Sequence, residues 1–247
     1  MALIEVGTIN NFSVAVKKGK PELSMLESIS TLSELKEVSG AVSEGTFELI
    51  TSEEKRGVAI KSLKLQKGFE GFLSGIFNKT SEIYFIAWAW DLSGEPVNQY
   101  PGKDVDPKDV LITMKSGNLR EFIGEGINLF PKRKVHGGIA IRIQIWESDD
   151  DIRNFGKAMS DTAAAIEGSN LNKVLSLVST ATGVSGATIT LVKEAALELT
   201  KIIGTILQKN SNDYVDFFEG YYASDQSWQP GNELYDGNAS ALTLKKY

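Results

Sequence analysis

Hydrophobic residues recur with a period of two over most of the chain, the pattern of strands with one buried face. Phe12, Val14 and Val16 alternate with small or polar residues. Val58 and Ile60 do the same, and Leu63 and Leu65 resume the alternation one position out of phase, which predicts a β-bulge between the pairs. Residues 83–90 (IYFIAWAW) are apolar on both faces and read as a central strand covered on both sides. Ile139, Ile141, Ile143 and Ile145, with Arg142 and Gln144 between them, form the cleanest period-two run. Residues 214–222 and 239–244 supply the last two predicted strands. Clusters of Gly, Asn, Asp and Pro at 93–107 and 229–238 punctuate the series.

Two regions follow a helical period instead. Leu26, Ile29, Leu32 and Leu35 give residues 22–38 one apolar stripe. From 157 to 209 three stripes follow one another. Ala158, Met159, Thr162, Ala163 and Ile166 line the first, which Gly168 ends, and Leu171, Val174, Leu175 and Val178 begin the second. Ser185 is placed to cap the third, whose stripe holds Ile189, Val192, Ala196, Leu199, Ile203 and Ile206. The expected fold is mainly β, of the α+β class: an antiparallel β-sandwich with an inserted helical hairpin. Residues 1–156 would form the sandwich and an N-terminal helix, 157–209 the helical insertion, and 210–247 the strands that complete the sandwich.

Within the insertion, residues 174–192 carry no charge, although 23% of the whole chain is charged. One bilayer-crossing helix needs a run of about this length. Here Ser, Thr and Gly are too frequent for that use, and Gly183-Val184-Ser185-Gly186 invites a central turn. Two readings stand. Two helices meet at the turn and bury their apolar faces, or the segment switches into a membrane with Ala187, Ile189 and Leu191 on one face of a strand. Val174, Leu177, Val178, Val184, Ile189, Leu191 and Val192 are the candidate membrane- or partner-binding residues. Five lysines to four acids over 157–209 make the insertion slightly basic within an acidic chain.

Acidic residues gather after two strands, at Trp90-Asp91 and at Trp146-Glu147-Ser148-Asp149-Asp150-Asp151. If the strands run the same way, Asp91, Asp149, Asp150 and Asp151 converge at one end, where several carboxylates suit Ca²⁺. Residues 149–151 also stand where acids cap the helix that follows. The Trp90-Asp91 and 146–151 loops resemble those of C2 domains. That resemblance implies calcium as a cofactor and a lipid surface as the partner.

Other chemistry is thin. Cysteine is absent and His136 is the single histidine, which excludes thiolate sites, His-pair zinc sites and a cysteine nucleophile. No Gly-x-Ser-x-Gly elbow, phosphate-binding loop or dinucleotide fingerprint occurs. The chain is therefore not expected to be an enzyme. A net charge of −6 argues against a nucleic-acid partner. The N-terminus, MALIEVGTINNFSVAVKKGK, lacks the pattern of a secretory signal, so synthesis in the cytoplasm is expected, with release by another route left open. Tyr221, Tyr222 and Trp228 are candidates for an aromatic surface that stacks on a sugar or lies at an interface. Two functions compete on these grounds. One is a non-enzymatic membrane- or cell-surface-binding protein, a pore-forming toxin or effector able to self-associate. The other is a structural subunit of a larger assembly.

Overall fold

The computed structural model describes residues 3–7, 48–66, 81–103, 105–148, 152–180, 184–209, 213–237 and 239–247. The strand expected at 12–16 and the helix expected at 22–38 lie outside them. The protein is mostly β, of the α+β kind, with two sheets among the described residues. The larger sheet contains β1 (Leu3–Gly7), β3 (Ser81–Trp90), β4 (Asn98–Tyr100), β5 (Ile112–Met114), β8 (Gly138–Glu147) and β9 (Asp213–Ala223). Its order is β1-β9-β8-β3-β4, and β5 pairs β3 beyond β4 on the same edge. Every pair is antiparallel except β1 with β9. The smaller sheet runs β10 (Gly231–Asp236), β11 (Ser240–Lys246), β2 (Arg56–Leu65), β6 (Leu119–Glu121), with β7 (Ile127–Arg133) also on β2.

Alternation along β3 and β8 assigns the two faces of the larger sheet. Ile83, Phe85, Ala87 and Ala89 join Ile139, Ile141, Ile143 and Ile145 in one apolar cluster. Val58, Ile60, Leu63 and Leu65 of β2 and Leu242 and Leu244 of β11 pack in the same cluster. Tyr84, Ile86, Trp88 and Trp90 point the other way, into a second cluster shared with helices. These are α2 (Ile152–Glu167), α3 (Asn170–Thr180) and α4 (Gly186–Lys209); a short α1 (Pro107–Val110) precedes them. All three follow β8 and precede β9, which are hydrogen-bonded neighbours. The strand β3 is thus covered on both faces, and no residue from Ile83 to Trp90 is more than 2% exposed.

The out-of-phase step in β2 is a bulge. Thr243 pairs with Ser62 and Leu244 with Ile60, leaving Lys61 as the extra residue. Its backbone carbonyl accepts from Phe122 N (2.9 Å), and its Nζ donates to the carbonyls of Phe122 and Gly124. The β6–β7 turn is thereby tied to the bulge. Gly126 is required there, since its φ is +96° and a Cβ would lie 2.2 Å from the Ile60 carbonyl oxygen.

Of the 174–192 segment, residues 174–180 lie in α3 and 186–192 in α4, which places Ile189 and Leu191 on a helix. The clusters at 93–107 and 229–238 hold elements of their own, namely β4, the start of α1, and β10.

Candidate functional site

The end of β9, the next turn, and strands β10, β11 and β2 enclose a cleft of about 450 Å³. Arg56, Tyr222, Gln226, Ser227, Trp228, Glu233, Tyr235 and Lys246 line it with Ala223. Arg56 builds the site. It is 2% exposed, and its guanidinium donates to the carbonyls of Ala223 (2.7 Å), Ser224 (2.9 Å) and Gln226 (2.6 Å). Those bonds hold the turn that delivers Trp228, and the guanidinium carbon lies 5.2 Å from the Trp228 ring centroid. The opposite side of Arg56 is neutralised by Glu54 at 2.6 Å. Trp228 Nε1 donates to the Tyr247 carbonyl at 3.3 Å.

Tyr222 and Trp228 meet edge to face, with centroids 5.5 Å apart and planes at 87°. The ammonium of Lys246 sits over both rings, 5.8 Å from the Tyr222 centroid and 5.3 Å from that of Trp228. Glu233 pairs with this ammonium through Oε1. Its Oε2 accepts from the hydroxyls of Tyr222 (3.3 Å) and Tyr235. Glu233 and Tyr235 alternate along β10, so both face inward while Leu234 points to solvent.

This network moves the titrations in opposite directions. Burial alone would raise Glu233, but hydrogen bonds from Lys246 and Tyr235 and the charge of Lys246 hold it below the ordinary carboxylate range. Burial, then Tyr235 and Glu233, push the Tyr222 phenol well up. A carboxylate lowered by folding stabilises the protein fully above its unfolded pKa, and that contribution is lost as pH falls through the lowered value. Glu233→Gln should therefore melt below the wild type at neutral pH, with a gap that narrows as pH falls below the unfolded glutamate value of about 4.3. A gap independent of pH in thermal scans would contradict this assignment.

The residues singled out in the sequence are placed as follows. Val174, Val178, Val184, Ile189, Leu191 and Val192 are buried in the helix–sheet cluster, and Leu177 packs against it half-buried. They are core residues here, not a displayed surface. Among the described residues no helix is long and apolar enough to cross a membrane. The aromatic surface also needs correction, because Tyr221 and Tyr222 are both buried and face opposite sides of the sheet. Tyr221 donates its hydroxyl to the Gly137 carbonyl at 2.6 Å on the helix side. Of the three, only Trp228 is partly open to solvent.

Asp91 and Glu147 stand at opposite ends of the larger sheet. Strands β3 and β8 are antiparallel, with Trp90 opposite Ala140 and Ile83 opposite Glu147. The end of β8 therefore lies beside the start of β3. Asp91 itself is enclosed, accepting from Arg133 Nη2 (2.9 Å), the backbone N–H of His136 (3.1 Å) and the Ser93 hydroxyl (2.6 Å). It serves as a loop anchor. Asp149, Asp150 and Asp151 lie outside the described residues, and no group of three acids or histidines among the described residues is arranged to hold a metal.

No family pattern matches the chain, and no curated protein is significantly similar to it. The cleft is therefore a candidate site on its geometry alone. Sequence reasoning found Tyr222 and Trp228 but missed Arg56, Glu233, Tyr235 and Lys246. The i, i+2 spacing of Glu233 and Tyr235 was the one available signal, hidden in a segment read as a turn.

Proposed function

We propose that this is a non-enzymatic surface-binding protein that meets its target through the Tyr222–Trp228–Tyr235 cleft. In this reading the two sheets form a β-sandwich, and the helical residues between β8 and β9 are an inserted layer that braces it. The observation that carries the reading is the Tyr222–Trp228 corner of the cleft, one ring on β9 and the other on the turn that follows, braced by Arg56 and Glu233. Its carboxylate and ammonium are matched to each other, so the cleft offers rings and shape in place of a free acid or base. That favours binding over turnover. A pore-forming variant of the same reading would first require Val174, Val184 and Val192 to leave the core, whereas the cleft needs no such step. With a chain charge of −6, long-range attraction to an anionic surface is not expected, and a zwitterionic one fits better.

Co-sedimentation with phosphatidylcholine vesicles tests the proposal, with phosphatidylglycerol vesicles alongside. The wild type should pellet with phosphatidylcholine, and Trp228→Ala should weaken this by about tenfold or more while still melting cooperatively. Equal pelleting by the variant, or none by the wild type, would overturn the reading in favour of the assembly-subunit function.

A further inference from the structure

We propose that the corner between Tyr222 and Trp228 is a receptor site for a trimethylammonium group supplied by another molecule, with Lys246 as the resident occupant that this group displaces. The inference rests on the reading of the cleft as the contact site and deepens it by naming the ligand chemistry. Two perpendicular rings form a corner whose π-faces attract cations, and a carboxylate closes it. The chain already shows what the corner takes. The group found there is an alkylammonium, within 6 Å of both ring centroids and paired to Glu233.

The choice of a methylated ammonium follows from the hydrogen bonds. Glu233 Oε2 is committed to Tyr222 and Tyr235, and Oε1 to Lys246. Arg56 has filled the carbonyls of Ala223, Ser224 and Gln226. A cation that enters must draw on the rings and on charge more than on free acceptors. Trimethylammonium donates no hydrogen bond and sheds its hydration easily, so it meets that condition, and the open cleft has room for it beside the Lys246 stem. Once displaced, Lys246 can swing its flexible chain to water. Choline on a lipid head group and free choline share this chemistry.

Titration with choline chloride, against sodium chloride at equal ionic strength, tests the site by tryptophan fluorescence. Trp88, Trp90 and Trp146 are buried, so the change reports on Trp228. The wild type should show a saturable change by about 100 mM. Lys246→Met, which removes the resident cation, should bind about tenfold more tightly, and Trp228→Ala should lose the response. No response beyond that of sodium chloride in either the wild type or Lys246→Met overturns the proposal, as does unchanged affinity in a folded Lys246→Met. If that variant does not fold, saturation of the wild type by choline but not by sodium decides alone. Vesicle pelleting without a choline response sinks the ammonium site and spares the surface reading. A choline response without pelleting keeps the site and assigns it to a free ligand.

Discussion

Trp88→Ala should destabilise the protein by about 3–5 kcal/mol, a large part of the roughly 5–15 kcal/mol that holds a domain of this kind together. Trp88 is 0% exposed in the middle of β3, between Gln99 of β4 and Arg142 of β8 in register. Its ring lies in the cluster that joins the sheet to the helices, so truncation opens a cavity between two layers. Trp88→Phe should be far milder, at about 1 kcal/mol. The indole Nε1 finds no hydrogen-bond partner among the described residues, so phenylalanine removes no satisfied polar contact. Urea midpoints of the two variants test both values. If Trp88→Ala is tolerated, β3 is not the central strand described here.

The second large effect lies on the same face of the sheet and is asymmetric. Arg142 donates to Glu219 through Nε (3.1 Å) and Nη2, and to Thr200 Oγ1 of α4 through Nη1 (3.0 Å). Its guanidinium carbon is 5.6 Å from the Trp90 ring centroid. The Arg142 side chain is 8% exposed and that of Glu219 is 34% exposed. Glu219→Ala leaves a buried guanidinium without its counter-charge and should cost about 3 kcal/mol. Arg142→Met leaves a carboxylate that can turn to water, while Thr200 keeps its bond to the Ala196 carbonyl, and should cost about 1 kcal/mol. Equal costs for the two variants in chemical denaturation would show that burial does not govern the pair.

Arg142 and Gln144 show why part of this architecture was legible and part was not. The isoleucines that alternate with them announce a strand and its inward face correctly. The polar residues between those isoleucines look like an outer, wetted face, yet Arg142 and Gln144 are buried. Arg142 is met by Glu219 and Thr200, remote in sequence, and Gln144 by Thr200 as well as by the nearby Trp146 indole, so the cross-element contacts have no local spacing to announce them. The uncharged 174–192 stretch was open to two readings for a related reason. Its aliphatic residues Val174, Leu175, Val178, Val184, Ile189, Leu191 and Val192 pack into the cluster between helices and sheet, which composition alone does not separate from membrane affinity. Strands β4, β5 and β6 have three residues each, too few to show a period. Strand β10 is an edge whose outward positions are exposed, so its hydrophobic signal is weak. The cleft draws one to three residues from each of five segments, and only Tyr222 and Trp228 drew notice by being aromatic.

Surface binding through the cleft stands or falls on where the Trp228 ring sits at a phosphatidylcholine surface. The chain has four tryptophans, and Trp228 is the one that is not buried. With 5-fluorotryptophan incorporated, four fluorine resonances can be followed as vesicles and a soluble paramagnetic quencher are added. The Trp228 line alone should be broadened by the quencher in free protein and become shielded from it on vesicle binding. A Trp228 line that stays open to the quencher while the protein is vesicle-bound would contradict it.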